Sequence, residues 1–246
     1  FPELQGIMCG YFSAYQGFDK DVSLALAEQY LPIGLNSSVP KNPFSVSLSI
    51  TDKLDTLVGF FGVNEKPTSS KDPFALRRIA LGIIRTLIEN KKNLKVNSLL
   101  IYSSNLYEDQ NFNFNNKNLQ KELNEFLKDR FRYYLKENEI RYDIIEAIIS
   151  SFSLNEIYSS YDKARCLNKI INNQIGEDII STFKRASSIL ENEMKNNRIE
   201  IDDSTDPGIF KTDFERNLYK KINEIKRYYS TINYDENYEK SLSILA

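Results

Sequence analysis

TDKLDTLVGFFGVNEKPTSSKDPFALRR, residues Thr51–Arg78, decides the fold class of this chain. Its first part continues a helical pattern that aligns Val46, Ile50, Leu54 and Leu57. Gly59 and Gly62 are expected to loosen that helix ahead of a turn at Pro67–Ser70. Asp72 then reads as an N-cap with Pro73 at the first helical position, where a missing N–H costs nothing. Leu76, Ile79, Ala80, Ile83, Ile84, Leu87 and Ile88 follow the spacing of a core-facing helix.

The same period extends in both directions. Upstream, Asp21 is expected to cap a helix carrying Val22, Ala25, Leu26 and Tyr30, stopped by Pro32. Downstream, the Lys- and Asn-rich stretch 90–97 marks a change of character and an expected domain boundary. Residues 105–118 read as an Asn-rich loop. Leu119, Leu123, Phe126, Leu127, Phe131 and Tyr134 predict a long helix, with further helices over 142–150 and 158–171. Gly176 opens a segment with Ile179, Ile180, Phe183, Ala186, Ile189 and Leu190 on one stripe. After an acidic loop at 200–207, a last pair of helices is built on Phe210, Phe214, Leu218, Ile222 and Ile225, then from Tyr238 onward. Strand-like alternation is scarce, so the expected fold is all-α.

Composition bounds the function. The 246 residues are 41% hydrophobic and 27% charged. No apolar run approaches the roughly 20 residues that span a bilayer, and no secretory leader is legible. Cys9 and Cys166 lie far apart outside any CxxC spacing, pointing to two reduced thiols and a cytoplasmic protein. The chain opens at Phe1 without Met and closes on a helical pattern through Tyr238, Leu242 and Leu245, so both ends read as cut. A net charge of −2 argues against nucleic-acid binding driven by bulk charge, DNA included, and leaves local basic patches open.

There is no GxGxxG, Walker A or GxSxG sequence. Histidine is absent, which removes the Ser-His and Cys-His nucleophile systems from this chain. Asp52 and Asp55, three apart on a helix, project within about 60° of each other. Such a pair could join a metal site or serve as caps and ion-pair partners, but no imidazole is available to complete the site.

The run TDKLDTLVGFFG…PTSSKDPFALRR, with FPELQGIM at Phe1–Met8, resembles the β subunit of the bacterial two-subunit glycyl-tRNA synthetase. In that family a near-identical run closes an HD-like helical domain. The resemblance implies that residues 1–92 are the carboxyl-terminal part of a degenerate HD-like domain. It implies a helical body at 93–175 and the start of a helical, DALR-like anticodon-binding domain at 176–246. It further implies tRNA(Gly) and the synthetase α subunit as partners in a heterotetramer. Glycine adenylation, with ATP and Mg²⁺, would belong to the α subunit, and no cofactor or metal to this chain.

Lys71, Arg77, Arg78 and Arg85 form the strongest basic cluster. Two readings stand: contact with the tRNA backbone at a helix N-terminus, or internal pairing of Arg77 or Arg78 with Asp52, Asp55 or Asp72. Lys184 and Arg185 lie in FKRA, which is similar to a KRVSNIL-like segment of the family's anticodon-binding region. Ala186, Ser187 and Ser188 depart from its usual Val and Asn positions. These two cations either meet phosphates or lie on a solvated face. Arg130, Arg132, Tyr133 and Tyr134 have the composition of a base-stacking platform, while the helical period assigns Tyr134 to packing. Two other functions stay open beside tRNA binding: an HD-type nucleotide phosphohydrolase, and a helical scaffold for the α subunit.

Overall fold

The computed structural model describes residues 1–34, 36–112, 114, 116–171, 173–197 and 205–231. Among them the fold is all-α. The chain divides into two compact units, Phe1–Ala164 and Arg165–Ala246.

The first unit is organised around α3, Pro43–Gly62. Asn42 caps it by accepting from the Phe44 amide at 2.9 Å, and Pro43 occupies the first turn. Against α3 lie α2 (Lys20–Glu28), α4 (Leu76–Glu89), α5 (Val96–Asp109) and α6 (Asn116–Glu137). The apolar stripes of α3, α4 and α6 close on one another, leaving Leu57, Val58, Ile83, Ile84, Leu123 and Phe131 without solvent exposure. Each such side chain contributes about 1.5–3 kcal/mol through burial. Phe131 also stacks on Phe152 at 4.4 Å. On the outer side, α7 (Tyr142–Ser150) packs against α6, and α1 (Ile7–Tyr15) packs against α2.

Four boundaries depart from the periodicity. Asp19, not Asp21, caps α2, accepting from the Asp21 amide at 2.8 Å; the Asp21 carboxylate instead accepts from Asn42. Helix α3 runs through Gly59 rather than loosening there. A Cβ at that position would sit 2.6 Å from the Tyr107 hydroxyl, so the glycine lets α5 lay Tyr107 across α3. Helix α5 extends into the expected 105–118 loop as far as Asp109, because its apolar positions include the buried Val96 and Leu100 upstream.

The fourth departure is the start of α4. Pro73 and Phe74 lie in a turn, and the helix begins at Leu76 after Ala75, which takes a left-handed conformation with φ of 56°. Asp72 still acts as the cap, at longer reach. Its two carboxylate oxygens accept from the Leu76 amide at 2.8 Å and the Arg77 amide at 3.0 Å. This double contact holds the strained Ala75 conformation in place.

In the second unit, α8 (Ile157–Ile171) enters from the first, followed by α9 (Gln174–Asn197) and α10 (Asp213–Thr231). Glu215 caps α10, accepting from the Lys211 and Thr212 amides at 2.7 and 2.8 Å. The α9 residues Phe183, Ile189 and Leu190 and the α10 residues Phe214, Leu218 and Ile222 are exposed. The helix expected from Tyr238 lies outside the described residues, as does most of the acidic loop.

Asp72→Ala should lower the unfolding free energy by about 1 kcal/mol through loss of the α4 cap. Asp72→Asn, which keeps one acceptor, should lose less. Urea denaturation of the three proteins checks the order.

Candidate nucleic-acid interface

The Thr51–Arg78 segment places its chemistry-bearing residues around a cleft of about 390 Å³ in the first unit, between α3, the start of α4 and the segment following α2. Tyr30, Pro32 and Ile33 line one side. Asp52, Lys53 and Thr56 come from α3, and Phe74, Arg78 and Ile79 from the α4 entry.

Lys53 is the residue that sequence reasoning missed. It is 4% exposed and has no ion-pair partner among the described residues. Its ammonium donates to the Leu31 carbonyl at 2.8 Å, the Ser49 hydroxyl at 2.8 Å and the Gln29 carbonyl at 3.2 Å. Burial lowers its pKa from 10.5 to about 8, against the opposing pull of the neighbouring Asp52 carboxylate. Gly82 of α4 makes room for the lysine stem, since a Cβ there would stand 3.0 Å from Lys53 Cε. A lysine in a Leu-Asp context carries no sequence mark of burial; the closest signal was the apolar positions on both sides of it.

The paired-carboxylate reading does not survive the geometry. Asp52 Oδ1 accepts from Gln29 Nε2 at 2.8 Å, towards α2. Asp55 accepts from the Tyr107 hydroxyl at 3.2 Å and from Ser103 at 3.4 Å, towards α5. Burial, then the Asp55 charge and its hydrogen bond, raise the Tyr107 pKa. The two aspartates therefore serve different helix contacts, and neither pairs with Arg77 or Arg78.

The basic cluster separates into committed and uncommitted cations. Arg77 donates to the Thr68 carbonyl and so fixes the Pro67–Ser70 turn. Arg85 donates to the Gly34 carbonyl at 2.7 Å and the Ser37 carbonyl at 2.8 Å, and pairs with Glu89 at 2.8 Å. It is a clamp between α4 and the 34–37 loop. The first two amides of α4 are already taken by Asp72, which leaves fewer open amides at that helix N-terminus for a phosphate. Lys71 and Arg78 are exposed, and their side chains have no hydrogen-bond or ion-pair partner among the described residues. Lys184 and Arg185 on α9 are likewise exposed and unpartnered.

The residues of the expected stacking platform are engaged with neighbours in the fold. Arg132 pairs with Asp129 at 2.7 Å and Glu146 at 3.2 Å. Arg130 lies over the Phe126 and Tyr133 rings at 6.0 and 5.6 Å, and Tyr134 packs on Tyr161. Cys9 is exposed and Cys166 buried, both as free thiols. Among the described residues, no helix is long and apolar enough to cross a membrane.

Among the described residues the fold presents helices throughout, a cleft of mixed charge, and unpaired cations on α4 and, separately, on α9. The family described as glycyl-tRNA synthetase beta subunit matches residues 1–150, and the chain belongs to it. The glycine–tRNA ligase beta subunit of Rickettsia canadensis is 37% identical over 248 residues, covering 100% of this chain and 35% of its own length. That of Cereibacter sphaeroides is 34% identical over 222 residues, covering 90% of this chain and 32% of its own. The Dinoroseobacter shibae protein of the same name is 33% identical over 246 residues. The chain thus spans about a third of the length of the curated relatives it matches.

Lys53 makes stability depend on pH with a definite sign. Its folded pKa, about 8, lies below the unfolded value of 10.5. Between these the unfolded chain holds more protons, so stability gains from this residue as pH rises. In denaturant titrations from about pH 8 to pH 10, wild type should gain stability relative to Lys53→Met. A constant difference would contradict the buried-amine account.

Proposed function

We propose that this chain is a tRNA-gripping, non-catalytic part of a glycine–tRNA ligase β subunit. Its role is to hold tRNA(Gly) against the α subunit, within an α/β heterotetramer in the cytoplasm. Glycine activation with ATP and Mg²⁺ then falls to the α subunit, and the product is glycyl-tRNA. Residues 1–92 correspond to the end of an HD-like domain, 93–175 to a helical body and 176–246 to the opening of an anticodon-binding domain. Family membership over residues 1–150 carries this assignment. It is supported by the exposed side chains of Lys71, Arg78, Lys184 and Arg185, which have no partner among the described residues and stand on a chain of net charge −2. Local cations on an otherwise balanced surface suit recognition of one folded RNA better than indiscriminate binding. Orientation is a sufficient contribution to rate, since converting an encounter into an aligned complex is worth about 7–11 kcal/mol at best.

Titration of this chain with tRNA(Gly) and a non-cognate tRNA, between 50 and 200 mM salt, is the test. Four phosphate-contacting cations predict a slope of log K against log salt of about −3 to −4. The preference should be for tRNA(Gly). A flat salt response would replace tRNA binding with a scaffold role, and equal affinity for both tRNAs would remove the specificity.

A further inference from the structure

We propose that the cleft between α3 and the entry of α4 holds one nucleotide of a single-stranded RNA segment. Its phosphate lies on the Arg78 guanidinium and its base on the Phe74 ring. This rests on the proposed function in taking RNA as the partner.

Three observations converge. Arg78 lines the cleft, is exposed, and has no side-chain partner among the described residues, whereas Arg77 and Arg85 on the same helix are both spent on carbonyls of loops. A planar guanidinium left open beside a cleft is suited to bidentate contact with a phosphate. Phe74 is 42% exposed and stacks on Phe60 with ring centroids 4.2 Å apart. The Phe60 contact orders the ring in advance, so a base can stack on it with little further loss of freedom. Asp52 also lines the cleft. Its Oδ1 is occupied by Gln29, while Oδ2 has no partner among the described residues.

The carboxylate decides between ligand classes. A bare anion on Arg78 would be opposed by Asp52. A nucleotide carries both a phosphate for the arginine and hydroxyl or amino donors for the carboxylate. Aliphatic Pro32, Ile33 and Ile79 supply an apolar wall for the flat face of a base. The volume, about 390 Å³, lies within the roughly 300–1,000 Å³ of small-molecule pockets.

The test is binding of single-stranded triadenylate to the whole 246-residue chain by fluorescence anisotropy at low salt, with circular dichroism confirming that each variant folds. Arg78→Gln should weaken binding about tenfold or more, with partial recovery in Arg78→Lys. Phe74→Leu should weaken it about fivefold or more, while Phe74→Tyr keeps it. An abasic trimer should bind more weakly and be indifferent to Phe74→Leu. No binding by wild type, or wild-type binding by both Arg78→Gln and Phe74→Leu, overturns the assignment. Equal binding of the abasic trimer or of a triglutamate peptide also overturns it, as an anion site only. Parallel titration with tRNA(Gly) keeps the two proposals apart. If tRNA binds but neither variant alters its affinity or that of triadenylate, the cleft assignment fails and the RNA-binding role stands. Cleft-dependent triadenylate binding without tRNA binding supports the cleft and sinks the role.

Discussion

The buried amine of Lys53 ties the end of α2 to α3 in the first unit. Taking a charged amine out of water is costly unless its hydrogens meet oxygens. Lys53 meets that demand from the end of α2 and the turn after it, through the Gln29 and Leu31 carbonyls, and from Ser49 one helical turn back on α3. The segment carrying Tyr30, Pro32 and Ile33 is therefore fastened onto α3 by directional bonds. Gly82 lets α4 close over the lysine stem from the other side. The cleft is the space left where these three elements meet, and Asp52, one residue earlier, opens into it.

Apolar periodicity made the fold class legible, because a helix stripe must bury itself wherever it is. The α4 pattern from Leu76 to Ile88 and the α6 pattern from Leu119 to Phe131 correspond to buried faces, and α7 has the expected bounds. Helix ends were less legible, since they depend on which oxygen reaches which amide. Asp72 has the chemistry of a cap, but nothing in the order Asp-Pro-Phe-Ala shows that the chain bulges through Pro73 and Phe74 before the helix starts. The same holds for Asp19 and Asp21, either of which can cap α2 on spacing alone.

Side-chain fates were the hardest to read. Asp52 and Asp55 are close in angle, yet Gln29 draws one carboxylate and Tyr107 the other, and both partners come from distant parts of the chain. Arg78 and Arg85 share a helical face by spacing, but only Arg85 meets the 34–37 loop. Clusters of like charge in a sequence therefore overcount available charge. Tertiary structure removes Arg77 and Arg85 from the surface pool and leaves Lys71 and Arg78.

That subtraction bears on how a chain of net charge −2 can serve an RNA. If all the clustered arginines faced solvent, α4 would offer a broad positive field that any polyanion could use. With two of them turned into loop clamps, what remains is Lys71 in the segment before α4 and Arg78 beside an aromatic ring and a carboxylate. Such an array gains little from long-range attraction and much from fit. The same loop clamps also hold that array still, since Arg77 fixes the turn before α4 and Arg85 ties α4 to the chain that follows the Pro32 wall. Rigidity at a recognition site lowers the entropy lost on binding. The arginines that do not face the cleft are thus part of why the one that does can be selective.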